Sequence, residues 1–143
     1  MLVSAFAFNS CTFEAVVYLL NRSGHDITVI ITPFNMDDKW AKDLISFNAC
    51  MAEAIKINEE KLQYTVKNGK ALLIGFYFNA PQNTEFRFKK FELQTEKGII
   101  LIADKDQFLK ECKKKRAKPG YFCSNLNGYQ LGSKANGLAY VIK

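Results

Sequence analysis

The sequence predicts one α+β domain, built on a mixed, mostly antiparallel sheet with an N-terminal βαβ unit, one long helix packed on the sheet and a short basic helix near the C-terminus. Apolar positions continue along all 143 residues, a usual length for one domain. They recur at helical spacing in the first third of the chain and mostly at a spacing of two afterwards. Asn-Gly pairs separate several later segments, as hairpin turns do.

The first third of the chain predicts the βαβ unit. Residues 1–8 alternate small or polar residues with aromatic ones, which predicts a strand. A helix over about 11–22 follows, because apolar residues recur there at i, i+3, i+4 and i+7, namely Phe13, Val16, Val17 and Leu20. Residues 27–34 are β-branched and almost continuously apolar, as expected for a strand covered on both faces. Strand, helix and strand in this order favour a right-handed crossover between parallel strands.

The long helix is predicted over about 37–57. Asn35 and Asp38 resemble a capping box before it. Its apolar stripe is wide enough to pack on a sheet and consists of Trp40, Leu44, Phe47, Met51 and Ile55.

After this helix the apolar spacing changes to two, which predicts strands. The Asn-Gly pair at 68–69 suits a type I′ turn, so we expect residues 62–67 and 70–78 to form a hairpin. In that register Tyr64 faces Leu73.

The next strand contains a change of apolar phase. Phe86 and Phe88 occupy even positions, whereas Phe91 and Leu93 occupy odd ones. A strand changes face only with an extra residue, so we predict a β-bulge at residues 89–90. The three phenylalanines then belong to the core.

The remaining elements follow from turn and capping signals. Residues 96–98 predict a hairpin loop with Gly98 left-handed, leading into a buried strand over 99–103. Asp104 and Gln107 form a second capping-box pattern, which opens a short helix to about Arg116. Two further Asn-Gly pairs divide the C-terminal tail into a three-stranded meander.

Positive charge is concentrated in one stretch of the sequence. Residues 61–143 carry sixteen Lys or Arg against six carboxylates, while residues 1–60 carry four against eight. Residues 110–118 alone hold six cations and one carboxylate, a net +5 in a protein of net +6. We call residues 110–118 the basic segment.

Three interpretations of the basic segment remain open. The end of a helix favours cations by about 0.3 to 1 kcal/mol each, which explains two or three of them as a solvated helix end. Six crowded cations repel one another, so an anionic partner would stabilise them. The run KKKRAK also matches the pattern of nuclear import signals.

These charges favour a non-enzymatic binding protein without a cofactor, whose partner is RNA or DNA. The alternative is a protein-interaction module or inhibitor that docks on an acidic protein, and the charge polarity also allows a head-to-tail homo-oligomer. The predicted nucleic-acid contacts are Arg87, Lys89, Lys90, Lys110, Lys113, Lys114, Arg116, Lys118 and Tyr121. Exposed aromatic residues among these cations would stack on single-stranded bases.

Other chemistries have less support from the sequence. Cys11 follows a predicted strand at a helix start, where a thiol is acidified, and the polar corner at 9–12 resembles a small phosphate site. The only histidine, His25, and four widely spaced cysteines predict no metal site. A metal-dependent nuclease built from dispersed carboxylates has no local pattern.

The start of the sequence lacks the basic region of a signal peptide and about 20 apolar residues in a row. We therefore expect a cytoplasmic protein with no membrane contact, in a reducing compartment where the cysteines stay as buried thiols, although their even number leaves disulfides open.

Overall fold

The computed structural model describes residues 15–51, 55–58, 60–77, 79–123 and 136–143. Over these ranges the chain has an α+β fold with two β-sheets and two α-helices, where the sequence predicted one sheet. The helices are α1 (Lys39–Phe47) and α2 (Lys105–Glu111). The strands are β1 (Ala15–Asn21), β2 (Ile27–Pro33), β3 (Ile55–Asn58), β4 (Lys61–Val66), β5 (Ala71–Tyr77), β6 (Phe88–Thr95), β7 (Gly98–Ile102), β8 (Lys113–Lys114) and β9 (Gly137–Ile142).

The two sheets share one hydrophobic cluster. The first sheet has the strand order β5-β1-β9-β8, in which β1 and β9 run parallel. The second sheet has the order β3-β4-β2-β6-β7 and is antiparallel throughout. The shared cluster joins side chains of β1, β5 and β9 to side chains of β2, β4 and β6, so the sheets pack face to face. A second cluster covers the other face of the first sheet with Ala117, Tyr121 and Phe122.

The helix predicted over 11–22 is wrong for the described part of that range, because β1 occupies it. All seven residues of β1 are buried, with Val17 and Leu19 in one cluster and Val16, Tyr18 and Leu20 in the other. A run that is apolar on both faces matches helical spacing as well as strand spacing, so the pattern could not separate the two.

The βαβ unit is wrong as well. β2 lies in the other sheet from β1 and pairs antiparallel with β4 and β6. Burial along β2 alternates, so only one of its faces is fully covered. The strand predicted over residues 1–8 lies outside the described residues.

The predicted long helix is much shorter than expected. α1 buries Trp40 and Leu44 as predicted but ends at Phe47, and Ile55 belongs to β3. The Asn48 side chain donates to the carbonyl oxygens of Leu44 and Leu73 at 2.9 Å each and accepts from the Leu73 amide at 3.1 Å. An Asn that bonds backbone groups in this way ends a helix and fixes its end to β5.

A turn is present at residues 68–69, but the two strands that flank it do not pair with each other, as the predicted hairpin requires. The Lys70 amide donates to the Lys67 carbonyl at 3.0 Å, and among the residues of this turn only Gly69 has a positive φ, of 82°. That is the pattern of a type II turn, which splays its flanking strands. β4 therefore joins the second sheet and β5 the first, so Tyr64 faces Val29 and Leu73 faces Tyr18.

The predicted β-bulge is confirmed. Thr32 pairs with Lys90 and Pro33 with Phe88, which leaves Lys89 as the extra residue. Phe86, Phe88 and Phe91 are buried, as predicted.

The hairpin after the bulge is present and Gly98 has a positive φ of 126°, but its loop has one residue fewer than predicted, because Gly98 already pairs with Thr95. The predicted burial of the next strand is wrong for Ile99, Ile100 and Leu101, whereas Ile102 is buried. Ile99 is 63% exposed and Leu101 56%, because β7 is the edge strand of the second sheet.

The second capping box is confirmed at its start. The Asp104 carboxylate accepts from the Gln107 amide at 2.8 Å, and α2 begins at Lys105. α2 ends at Glu111, so the helix does not extend to Arg116, and Lys113–Lys114 form β8 against β9. Like charges at helical spacing disfavour continuation of the helix, while an edge strand lets each cation reach solvent.

The C-terminal strand β9 lies between β1 and β8, so it does not belong to a local meander. The rest of the predicted meander falls in residues 124–135, outside the described part of the chain.

The expectation of free thiols is wrong for two cysteines. Cys50, just after α1, forms a disulfide with Cys123, just after the cover of the first sheet. Cys112 keeps its thiol.

Candidate nucleic-acid interface

The backbone of the basic segment is fixed to the first sheet. Lys113 and Lys114 pair with Ala139 and Leu138 of β9, and the Lys115 amide donates to the Gly137 carbonyl at 3.0 Å. The buried Tyr18 hydroxyl donates to the carbonyl oxygens of Lys115 and Arg116 at 3.0 and 3.2 Å. Ala117 is fully buried in the cover of the sheet. The backbone of the basic segment is therefore fixed along the edge of the sheet, and we call the segment in this position the strap; a solvated helix end was one of the interpretations of the sequence.

Gly137 makes this close approach sterically feasible. A Cβ atom at this position would lie 2.6 Å from the Lys115 carbonyl oxygen and 2.8 Å from Cε1 of Tyr18. Both distances are far shorter than van der Waals contact. The position thus accepts only glycine without displacement of the strap.

The charged side chains of the strap are mostly exposed. Lys115 is half-buried, and the five exposed cations are Lys110, Lys113, Lys114, Arg116 and Lys118. Within the described ranges, no ion pair joins any of these six cations to a carboxylate. Their mutual repulsion is therefore not relieved by an ion pair with a described acidic residue.

The strand geometry gives neighbouring cations different directions. Side chains alternate between the two faces of a strand, and directly paired residues share a face. Lys114 pairs with Leu138, which belongs to the cluster between the sheets, whereas Lys113 pairs with Ala139 in the cluster under the cover. Lys114 therefore lies on the inner face of the first sheet, and Lys113 on its outer face.

A cleft of about 520 Å³ lies at the end of the first sheet, beside the strap. It is lined by Ala15, Tyr77, Asn79, Lys114, Lys115, Arg116, Asn136 and Gly137. The described residues of the lining contribute three cations, two carboxamides and a phenol. This composition suits an anionic ligand that also carries hydrogen-bonding groups.

Two polar residues of the cleft come from the end of β5. Tyr77 is half-buried, and burial raises the pKa of its hydroxyl above the ordinary value, so the hydroxyl stays a proton donor near neutral pH. Asn79 has a φ of 65°, in the left-handed region that Asn tolerates better than most residues. Tyr77, Asn79 and Asn136 were not predicted as site residues, because isolated polar residues at strand ends form no local pattern.

The second predicted group of cations lies elsewhere. Arg87, Lys89 and Lys90 are exposed, but Lys90 pairs with Glu92 at 3.3 Å. A hydrogen bond from Gln94, and then the neighbouring Lys90, lower the pKa of the Glu92 carboxyl. Lys89 lines a different cleft, whose lining includes the carboxylates of Asp37 and Glu60.

Tyr121 is a packing residue in the structure. It is 8% exposed, its ring centroid lies 6.1 Å from that of Tyr18, and its hydroxyl accepts from the Arg22 guanidinium at 3.0 Å. The predicted role in base stacking has no support from this placement.

Two further cations, which the sequence did not indicate, lie beside Tyr121 and Gly120. Arg22 is exposed above the Tyr121 ring, and the Lys70 ammonium donates to the Gly120 carbonyl at 2.9 Å. They lie 40 residues or more from the basic segment in sequence, so only the fold brings them near its end.

The described residues offer little for nucleophilic or metal chemistry. Burial, with a smaller contribution from Glu111, raises the pKa of the Cys112 thiol to about 12, so the thiolate is scarce near neutral pH. His25 is exposed and lies 3.1 Å from Glu96. The described ranges contain no group of three His, Cys, Asp or Glu residues that could hold a metal ion. Cys11 and the polar corner at 9–12 lie outside those ranges.

No helix in the described part of the chain combines the length and apolarity needed to cross a bilayer. Comparisons of the chain with protein-family models, with curated proteins and with solved structures find no significant match.

Proposed function

We propose that this protein binds nucleic acid without catalysing a reaction, and that the basic segment is its main contact with the phosphate backbone. The observation that carries the proposal is the group of exposed cations on a fixed backbone, with no ion pair to a described carboxylate. Phosphates that replace condensed counterions would relieve the repulsion among these cations. A fixed backbone also reduces the conformational entropy that binding costs.

Single-stranded nucleic acid is the preferred partner. The cleft beside the strap is concave and contains carboxamides and a phenol, which suit the exposed edges and faces of unpaired bases. Arg22 and Lys70 continue the positive surface past the end of the strap. Arg87, Lys89 and Lys90 would form a separate and weaker contact, because Lys90 is paired and carboxylates line the cleft beside Lys89.

The test is a salt titration of binding to a fluorescent single-stranded RNA of random sequence. Each phosphate contact contributes about 0.7 to the slope of log affinity against log salt. The variant with Lys113, Lys114 and Arg116 changed to Gln is expected to lower the slope by about 2. A control with Lys39, Lys42 and Lys97 changed to Gln removes the same charge from exposed positions elsewhere.

Equal losses in the two triple variants would show that only net charge matters and would contradict a contact at the strap. A third variant with Arg87, Lys89 and Lys90 changed to Gln tests the separate contact, which is expected to change the slope less than the strap variant. Failure of the unmodified protein to bind RNA at low salt would reject the proposed function.

A protein-interaction module is the second candidate, and the exposed edge strand β7 favours it. Ile99, Ile100 and Leu101 present 63%, 40% and 56% of their surfaces to solvent on a strand that ends the second sheet, with one edge unpaired among the described residues. Such an edge is a template for pairing with another chain. Binding to polyglutamate at a salt concentration where the oligonucleotide does not bind would favour an acidic protein partner over nucleic acid.

A further inference from the structure

The cleft at the end of the first sheet has the composition of a site for a single nucleotide. We propose that it holds one unpaired nucleotide of the bound strand, with the phosphate on Lys114 and Arg116 and the base beside Tyr77 and the two carboxamides. This inference rests on the proposed function and adds a defined subsite to it. A volume of about 520 Å³ falls within the range of ordinary small-ligand sites, about 300 to 1,000 Å³.

The alternation of side chains along β8 places Lys113 and Lys114 on opposite faces of the first sheet. Lys114, the half-buried Lys115 and Arg116 line the cleft, and Lys114 shares the inner face of the first sheet with Leu138. Lys113 shares the outer face with Ala139. Lys113 and Lys114 are exposed and adjacent in sequence, so they contribute almost equally to the long-range field. Of these two lysines, only Lys114 lines the cleft.

The uncharged polar groups of the cleft suit a base more than a second phosphate. Asn79 and Asn136 each offer a donor and an acceptor, which can match the hydrogen-bonding edge of a base. The partly exposed Tyr77 side chain adds an aromatic surface, and its cross-strand neighbour is the small Ala15. A site for inorganic phosphate alone would not require these groups.

The first experiment adds adenosine 5′-monophosphate or inorganic phosphate to the isotope-labelled protein and follows the amide resonances. The nucleotide is expected to shift the amides of Ala15, Asn79 and Gly137, and phosphate to bind about tenfold more weakly because it lacks the base contacts. Equal affinities for phosphate and nucleotide would overturn the assignment of a base pocket. Asn79→Gly removes one carboxamide and keeps the backbone conformation accessible. This variant should therefore narrow the difference in affinity between the nucleotide and inorganic phosphate.

The second experiment compares Lys114→Gln with Lys113→Gln in binding to a single-stranded decanucleotide. Lys114→Gln should weaken binding about tenfold, as the loss of a charge-assisted hydrogen bond does, and Lys113→Gln only about twofold. Arg116→Gln repeats the test independently, and thermal unfolding of each variant checks that these exposed substitutions leave the fold intact.

The outcomes separate the two proposals. Equal weakening by Lys114→Gln and Lys113→Gln, with no nucleotide-dependent shifts at the cleft, would reject the nucleotide site and leave the proposed function standing. Absence of decanucleotide binding by the unmodified protein would reject the proposed function, and with it the claim that the cleft serves a bound strand.

Discussion

The hydroxyl group of Tyr18 donates a hydrogen bond to the carbonyl oxygen of Lys115 at 3.0 Å, across 97 residues of sequence. Tyr18 is fully buried in β1, and burial, followed by the neighbouring Tyr121, raises the pKa of its hydroxyl. The hydroxyl therefore stays protonated and continues to donate its hydrogen bond. The buried Tyr18 side chain thus holds the backbone of the basic segment in position.

Tyr18→Phe tests this connection. Loss of the hydroxyl leaves the Lys115 and Arg116 carbonyls without this donor, and the free energy of unfolding should fall by about 1 kcal/mol. Urea unfolding measures the loss. Tyr64→Phe is the matched control, because the Tyr64 hydroxyl is buried with no hydrogen-bond partner in the described part of the chain. A Tyr18→Phe variant as stable as Tyr64→Phe would show that the bond contributes nothing to stability.

Gly137→Ala should displace the strap. The added methyl group would meet the Lys115 carbonyl oxygen at 2.6 Å, and overpacking of this kind costs about 1 to 3 kcal/mol. Thermal unfolding should show the lower stability, and RNA binding should weaken because the cations shift. Gly120→Ala is the control, since a Cβ at that position meets nothing within 4 Å. The steric explanation requires that the two variants differ.

Removal of the disulfide should destabilise the fold strongly. Cys50 and Cys123 are separated by 73 residues, and closing a loop of this length contributes about 4 kcal/mol in the chain-entropy description. The double variant with both cysteines changed to Ser is expected to lose about that much in urea unfolding. Cys112→Ser serves as the control because a hydroxyl can replace the thiol that donates to the Phe108 carbonyl. A peptide map under non-reducing conditions that lacks the Cys50–Cys123 pair would contradict the prediction at its first step.

Stability should decline in alkaline solution. Burial raises the pKa of Cys112 from 9.0 to about 12, and it also raises the pKa values of Tyr18 and Tyr64 above 10.0. Above these ordinary values the unfolded chain has lost protons that the folded protein still holds, so the free energy of unfolding falls as the pH rises. The contribution is fully present below pH 9.0. Urea unfolding from about pH 8 to about pH 11 measures the decline.

The Cys112→Ser variant separates the thiol from the tyrosines. It should delay the start of the decline to about pH 10, where the tyrosines begin to act. A stability that does not change between about pH 8 and about pH 11 would mean that these groups titrate alike in both states.

Features encoded over a few neighbouring residues were predictable from the sequence. The phase change between Phe88 and Phe91 located the bulge, and the Asp104 and Gln107 spacing located the start of α2. Each depends on contacts within one strand or one helical turn, so no knowledge of distant partners was needed.

Features decided by distant partners were not predictable. β1 is apolar on every side because two clusters cover it, and the turn at 67–70 sends β4 and β5 to different sheets. The charge of the basic segment was plain from the sequence, but its placement depends on Tyr18 and Gly137. Tyr77, Asn79 and Asn136 meet these cations only because β5, β9 and the strap end at the same side of the first sheet.

The insertion of β9 between β1 and β8 has a consequence for biosynthesis. As the chain emerges from the ribosome, β1 and β5 are available to pair long before residues 137–142 are translated. Until then the edge of β1 that β9 covers lacks this partner, and an unpaired strand edge can pair with a neighbouring chain. A transient binder of apolar strand edges, such as a ribosome-associated chaperone, would protect the chain during this interval.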